Sequence, residues 1–233
     1  MNKSNPKFSF FDHLDELIRR LTQCLIVMAV MACVFYAFID KMLSFIIKPV
    51  GKVYFTAPGD AFTARMTLTI LGGLLLSLPF ILYQIWAFIA EGLKPDEKKY
   101  VLFFGPFSLG LFFMGAMFGY FVMVPISIQF LLSFSSDIVQ PMITVKNYIS
   151  FVGTWILACG ITFELPLVLM FLTKIGIATP AFLIDKRRYA IVIILIISAI
   201  ITPPDCVSQI IMAIPLIVLY EIGIIVSRMT YRG

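Results

Sequence analysis

Long stretches without a charged residue constrain the fold of this 233-residue chain more than any other feature. Residues 21–39, for example, contain no lysine, arginine, aspartate or glutamate. The hydrocarbon core of a bilayer is about 30 Å thick, and an α-helix needs about 20 apolar residues to cross it. Only helices and closed barrels satisfy their backbone hydrogen bonds in lipid, and these runs are too continuous for the strands of a barrel. The sequence therefore predicts an all-α membrane protein.

Six such stretches predict six transmembrane helices in a single integral membrane domain that covers residues 1–233. The predicted spans are 21–39, 68–90, 100–124, 148–173, 189–201 and 210–226. Spans 5 and 6 are short, since a run of about 13 residues reaches only about 20 Å as a helix. We expect such a pair to thin the bilayer locally or to be sheltered by other helices. The alternative is that the helices extend beyond their apolar runs.

The distribution of basic residues predicts the orientation. With six spans, both termini lie on the same side of the membrane, and most of the 18 lysines and arginines fall on that side. Basic residues accumulate in cytoplasmic loops, so both termini are predicted to be cytoplasmic. The net charge of +5 has the same origin and does not indicate a nucleic-acid partner.

Two segments outside the spans carry an amphipathic pattern. In residues 8–20 the apolar side chains recur at helical spacing, which predicts an interfacial helix on the cytoplasmic side. The first outer loop, residues 40–66, has a second apolar set at residues 45–54 and then a Pro-Gly turn. This order indicates another interfacial helix followed by a turn.

Motifs of the common enzyme and metal-site classes do not occur in the sequence. His13 is the only histidine, which excludes a multi-histidine metal site. There is no H-E-x-x-H, G-x-S-x-G, P-loop or G-x-G-x-x-G pattern. The sequence therefore predicts a protein without a metal, a cofactor or enzymatic activity.

A carboxylate and a proline interrupt the fourth span in the stretch GITFELPLVL, residues 160–169. The distance from the ends of the span places Glu164 within the hydrocarbon, in its cytoplasmic half. A charge at this depth is costly, so such residues usually face a cavity or a partner. Pro166 leaves the Thr162 carbonyl without its helical donor, which indicates a bent helix. The alternative is a protonated carboxyl retained for packing beside a hydrogen-bond donor, for which Gln84 in span 2 is a candidate.

Acidic residues also gather on the predicted cytoplasmic side. They are Asp15 and Glu16 near the first span, and Glu91, Asp96 and Glu97 in the first inner loop. Carboxylates can bind guanidinium groups in a bidentate manner. Alternatively, they pair with the basic residues next to them in the sequence, which are Arg19, Arg20, Lys98 and Lys99. The spacing leaves both possibilities open.

Five ordered stretches, taken together, resemble one family. They are HLDELIRRL (13–21), LPFILYQIWAFIAEGL (78–93), GITFELP (160–166), ITPPDCVSQ (201–209) and IPLIVLYEIG (214–223). They resemble the TatC family, the multispanning core subunit of the twin-arginine translocase. The resemblance implies six helices in a concave, glove-like wall in a bacterial inner membrane. It also implies a receptor for signal peptides with paired arginines, TatA-type and TatB-type single-span partners, a homo-oligomeric receptor complex, and transport of folded proteins by the proton-motive force.

The resemblance also implies roles for individual residues. The recognition acids of the family fall on Glu16 and Glu97, with Arg19 and Arg20 beside the first. Its intramembrane polar positions fall on Glu164, Gln84 and Gln209, and its outer-loop positions on Pro49, Asp60 and Asp205. The two arginines of a signal peptide are then expected to bind the recognition acids, and its apolar part to lie along the wall toward Glu164.

Three residues depart from the family pattern. Ile18 stands where arginine is usual, Glu91 where proline is usual, and Asp60 where glutamate is frequent. The residues alone also fit a proton-coupled small-molecule transporter with Glu164 as its proton site. Transporters commonly contain repeats with broken helices in matching halves, and no internal repeat is present. The resemblance therefore favours the translocase.

Overall fold

The computed structural model describes the backbone of residues 6–91, 95–136, 141–202 and 205–231, and the side chains of 14–90, 104–136, 141–202 and 205–231. The helices in these ranges are α1 (Pro6–Tyr36), α2 (Ile39–Ile47), α3 (Asp60–Glu91), α4 (Pro95–Phe118), α5 (Val124–Leu132), α6 (Val145–Phe163), α7 (Leu165–Lys174), α8 (Pro180–Asp185), α9 (Arg187–Ile201) and α10 (Cys206–Thr230). A π-helix, Gly119–Met123, joins α4 to α5. These ranges contain no β-strand, only an isolated bridge between Tyr54 and Thr144. The all-α prediction is confirmed.

Five helical segments of the described ranges are long and apolar enough to cross a membrane. They are Leu14–Tyr36, Asp60–Ala90, Phe104–Leu132, Val145–Lys174 and Cys206–Thr230. α9, which contains the predicted fifth span, has 15 residues, about 22 Å of helix, and is not one of these five. α10 has 25 residues, about 37 Å of helix, so this helix extends beyond its apolar run, as the alternative expected. Asp205 caps this helix before the apolar run begins, and polar residues continue the helix after the run ends.

The N-terminal helix is continuous. α1 runs without a break from Pro6 to Tyr36, so the helix predicted over residues 8–20 continues into the apolar run that follows it. No glycine or proline lies between residues 8 and 36, and sharp helix breaks mostly require one of them. In the outer loop, α2 covers only the first part of the predicted second interfacial helix. It ends before Gly51, whose φ of 80° is favourable only for glycine.

Contacts divide the chain into two compact units. The first unit comprises Met1–Phe45 and Ala61–Leu109. Within it, α1 packs closely on α3 where α3 has two consecutive glycines. A Cβ atom added to Gly73 would lie 2.6 Å from the Cβ of Ala32. Small residues at helix contacts allow the two backbones to approach closely, so these glycines fix the distance between α1 and α3.

The second unit comprises Ile46–Asp60 and Gly110–Gly233. Its core is built around Trp155 of α6, which is 2% exposed, and includes Met123 of the π-helix and Met212 of α10. α10 packs along α7 and α9, while α6 packs on the π-helix. The core of this unit therefore combines residues of α6, α10 and the π-helix.

The π-helix is explained by the proline that follows it. Pro125 has no N–H, and a proline ring clashes with the carbonyl group one turn before it. The N–H of Val124 donates to the carbonyl of Gly119, five residues earlier, which widens this turn. The helical stretch therefore continues through Pro125 as far as Leu132, beyond the predicted end of span 3 at residue 124.

In the second unit, the segment that follows α2 is hydrogen-bonded to the segment that precedes α6. The N–H of Tyr54 donates to the Ile143 carbonyl at 2.9 Å, and the N–H of Val145 donates to the Tyr54 carbonyl at 2.8 Å. The hydroxyl of Tyr148 donates to the carbonyl of Ile46, near the end of α2, at 2.8 Å. These bonds hold the segment after α2 against the start of α6.

Replacing Tyr148 with phenylalanine is expected to destabilise the protein by about 1–3 kcal/mol, since it leaves the Ile46 carbonyl without this donor. Tyr148 is 3% exposed, so water does not easily substitute for the lost hydroxyl. The thermal denaturation midpoint in detergent micelles measures the effect. Tyr189→Phe is the control, because that side chain is 55% exposed. Equal midpoints for the two variants would contradict the role of the Tyr148 hydroxyl.

Candidate functional site

The residues predicted to form the site fall into both units. Those in the first unit are Glu16, Arg19, Arg20, Gln84 and Glu97, and those in the second are Pro49, Asp60, Glu164, Asp205 and Gln209.

Glu16 and Arg20 form an ion pair on α1. They are one helical turn apart, and the Nε of Arg20 donates to the Oε1 of Glu16 at 2.7 Å. Both side chains are largely shielded, with 17% of Glu16 and 15% of Arg20 exposed. Arg19, the next candidate in the sequence, is exposed. Local pairing is therefore confirmed for Glu16, and Arg20 is its partner.

Gln84 of α3 extends this pair into a network. The Nη1 of Arg20 donates to the Oε1 of Gln84 at 2.7 Å, and the Nε2 of Gln84 donates to the Oε1 of Gln23 at 3.0 Å. Gln84 is only 8% exposed. The predicted neighbour of Gln84 was Glu164, whereas its hydrogen bonds in the first unit are to α1. Gln23 was missed, although it lies seven residues after Glu16 and so shares its face of the helix.

Glu97 belongs to the first turn of α4, which begins at Pro95. Its side chain lies outside the part of the chain that is described, as do those of Glu91 and Asp96. The role of Glu97 therefore stays a prediction.

Glu164 lies between α6 and α7, where the α-helix is interrupted. Its N–H donates to the Ile161 carbonyl at 3.1 Å, and its own carbonyl accepts from the N–H of Val168 at 2.9 Å. The interruption was predicted from Pro166, which is buried in the first turn of α7. The Oε1 atom of Glu164 is buried, so the protein around it shields this side of the carboxyl group.

Packing restricts the space around this interruption. A Cβ atom added to Gly223 of α10 would lie 3.3 Å from the Cα of Pro166 and 2.6 Å from the Cδ1 of Leu169. α10 thus approaches α7 closely beside Glu164. The position of the carboxyl group is therefore determined by the backbone break and by the packing of α7 on α10.

Asp60 and Asp205, which are predicted to lie in outer loops, organise the starts of two helices. The Oδ2 of Asp60, at the start of α3, accepts hydrogen bonds of 3.0 Å from the backbone N–H groups of Thr56 and Ala57 and from the Thr56 hydroxyl. The Oδ1 of Asp205 accepts from the N–H of Ser208 at 2.6 Å and caps α10. Both acids therefore satisfy backbone groups near a helix N-terminus, as capping residues do.

Gln209 and Pro49, two further predicted site residues, also lie in the second unit. The Nε2 of Gln209 donates to the Leu195 carbonyl at 3.0 Å, which connects α10 to α9. Pro49 lies in the turn after α2 and is exposed. Among the described residues, no three His, Cys, Asp or Glu side chains are grouped so that they could hold a metal ion.

Comparisons with known proteins extend these observations to the whole chain. The family model for the Sec-independent protein translocase protein (TatC) matches residues 12–215. A TatC protein of Desulforapulum autotrophicum is 39% identical over 98% of this chain and 87% of the relative. One of Carboxydothermus hydrogenoformans is 37% identical over 94% of this chain and 93% of the relative.

A solved structure agrees with the sequence matches. It is the crystal structure of a twin arginine translocase receptor, TatC, which superimposes with a TM-score of 0.85 at 35% sequence identity. The match covers 94% of this chain and all of the other. The chain belongs to the TatC family of Sec-independent protein translocase proteins.

Proposed function

We propose that this protein is the receptor subunit of a twin-arginine translocase, which binds signal peptides with paired arginines at the cytoplasmic face of the membrane. The observation that carries the proposal is that Glu16 binds a guanidinium group, that of Arg20, in a shielded site at the start of a membrane helix. A carboxylate that is positioned for one guanidinium group can accept another of the same geometry. Family membership supplies the class of ligand.

The proposed recognition step uses two carboxylates. Glu16 and Glu97 each bind one arginine of the signal peptide, and the apolar part of the peptide then lies along the membrane helices toward Glu164. Arginine suits this site because its planar group donates two parallel hydrogen bonds to one carboxylate. The step is binding followed by assembly of the translocase, so no covalent intermediate and no cofactor take part.

The proposed arrangement in the membrane has six spans, with α9 as the fifth, and both termini in the cytoplasm of a bacterium. The exposed side chains of α9 support a membrane location, since almost all are apolar: Ile191, Val192, Ile193, Leu195, Ile196, Ile197 and Ile200. A helix this short thins the bilayer beside it. We propose that TatA-type and TatB-type single-span partners gather there, that several receptors form one complex, and that the proton-motive force drives transport of folded cargo.

Reversing the charge of the second recognition acid tests the receptor function. In Glu97→Lys, cross-linking of a photoactivatable twin-arginine signal peptide to the protein in membranes is expected to fall at least about tenfold, a change of about 1.4 kcal/mol. The substitution removes one carboxylate and places a positive charge against the incoming arginine.

A control must separate this effect from a general change in surface charge. Asp185→Lys reverses an acid whose side chain is 70% exposed and which belongs to the second unit. Cross-linking of this variant is expected to remain within about twofold of the unmodified protein, as for most surface substitutions. If Glu97→Lys cross-links as well as Asp185→Lys, the assignment of Glu97 to signal-peptide recognition is wrong.

A further inference from the structure

We infer that Arg20 is a resident ligand of the recognition acid Glu16, which a signal peptide must displace, and that Arg20 thereby sets an affinity threshold that only paired arginines exceed. This inference rests on the proposed function, in which Glu16 receives an arginine of the peptide. It goes further, because it assigns to a residue of the receptor the requirement for two arginines.

The geometry of the network shows how firmly Arg20 is held. Its Nε donates to Glu16 at 2.7 Å on one side, and its Nη1 donates to Gln84 at 2.7 Å on the other. Gln84 is in turn oriented by its 3.0 Å bond to Gln23. Since the pair is mostly shielded, solvent screens it less than it screens a surface ion pair. Glu16 is therefore occupied before any peptide arrives.

An exchange of one guanidinium group for another gains little free energy. Arg20 also has the advantage of being attached to the same helix, which gives it a high effective concentration at Glu16. A peptide with a single arginine therefore competes poorly. A second arginine that binds Glu97 supplies the surplus needed for displacement. A lysine cannot match the fork of contacts that a guanidinium group makes with a carboxylate, so paired lysines stay below the threshold.

After displacement from Glu16, Arg20 can stay hydrogen-bonded to Gln84. When Arg20 leaves Glu16, its Nη1 can keep the bond to the Oε1 of Gln84. The charge then retains a hydrogen-bond acceptor, and a buried charge without any partner would be much more costly. The network therefore permits displacement while holding Arg20 close enough to return after the peptide leaves.

The inference predicts a parallel gain in affinity when Arg20 is removed. Displacement reduces the apparent affinity of every peptide by the same factor, the fraction of receptors in which Glu16 is open. In Arg20→Gln, the dissociation constants of a twin-arginine peptide and of its twin-lysine counterpart are both expected to fall about tenfold, with their ratio unchanged. The full-length protein in lipid nanodiscs, titrated with fluorescent peptides, measures both constants.

Two controls support the interpretation. Arg228→Gln removes the same charge from an exposed side chain of α10 that is not among the predicted site residues; its expected gain is at most about twofold, which measures the general electrostatic contribution. Arg20→Lys keeps the charge with fewer contacts to Glu16, so both peptides are expected to gain less than in Arg20→Gln. If Arg20→Gln does not fold, a parallel gain in Arg20→Lys supports the inference and no gain overturns it.

Several results would overturn the inference. The first is unchanged or weaker binding of both peptides by Arg20→Gln. The second is a loss confined to the twin-arginine peptide, which indicates that Arg20 only orients Glu16. The third is an equal gain in Arg228→Gln. The variant Glu16→Gln separates the inference from the proposed function. If Glu16→Gln binds the twin-arginine peptide normally, recognition by Glu16 is itself wrong. If Glu16→Gln loses binding while Arg20→Gln gains none, only the inference about Arg20 fails.

Discussion

Replacing Gly119 with leucine is expected to prevent the protein from accumulating in a folded form. A Cβ atom at this position would lie 2.7 Å from the carbonyl oxygen of Trp155, and 3.2 Å from both the Cβ of Cys159 and the Cα of Ile156. The first and last of these atoms belong to the backbone of α6 and cannot rotate away. Extra atoms in a well-packed core cost about 1–3 kcal/mol even when side chains can adjust. Here the whole of α6 has to move away from the π-helix.

The neighbouring Gly110 of α4 provides a matched control. It is also helical and lies in the same unit, but it is exposed, and a Cβ atom added there has no neighbour within 4 Å. Gly110→Leu is expected to fold normally, and its free energy of unfolding is expected to rise by up to about 1 kcal/mol because leucine has a higher helix propensity than glycine. The yield of monodisperse protein in detergent and its thermal midpoint measure both variants. Similar values for the two would contradict the close contact between the π-helix and α6.

The sequence predicted the helical fold because the requirement of lipid is general. Any segment that crosses the hydrocarbon has to be apolar and hydrogen-bonded within itself, so the spans are visible as uncharged runs. The ends of helices obey other rules. α10 begins at the capping residue Asp205 and not at the first apolar residue, and α1 passes through its polar segment without a break. The helices therefore extend beyond the apolar runs at the start of α1 and at both ends of α10.

Contacts within a helix were easier to predict than contacts between helices. The pair of Glu16 with Arg20 follows from their spacing of four residues. The partner of Gln84 does not follow from spacing, because α1 and α3 are far apart in the sequence and their rotation depends on packing at Gly73. For the same reason, the position of Gly119 against Trp155 has no signal in a single sequence.

Glu164→Lys is expected to abolish export of a twin-arginine cargo protein, whereas Glu164→Gln is expected to retain most of it. The Oε1 atom is buried at a break in the helix, beside the close contact of α7 with Gly223. Lysine brings a positive charge into this place at a cost of about 3 kcal/mol on insertion scales. Glutamine has the size of glutamate and keeps its hydrogen-bonding carbonyl oxygen. Export is measured in cells whose own TatC is absent, and is normalised to the amount of receptor in the membrane.

The control for a lysine in this helix is Val168→Lys. Val168 lies one turn after Glu164 and is 45% exposed, and a long side chain there can direct its charge toward the end of α7. This variant is expected to export cargo, so an equal loss in both lysine variants would point to a general cost of charge in α7.

The activity of Glu164→Gln decides the role of Glu164 itself. If Glu164→Gln is as inactive as Glu164→Lys at equal receptor levels, the hydrogen bond of the side chain is insufficient. The ability to lose and regain a proton is then what glutamine lacks, and Glu164 has to be treated as a titrating group in transport.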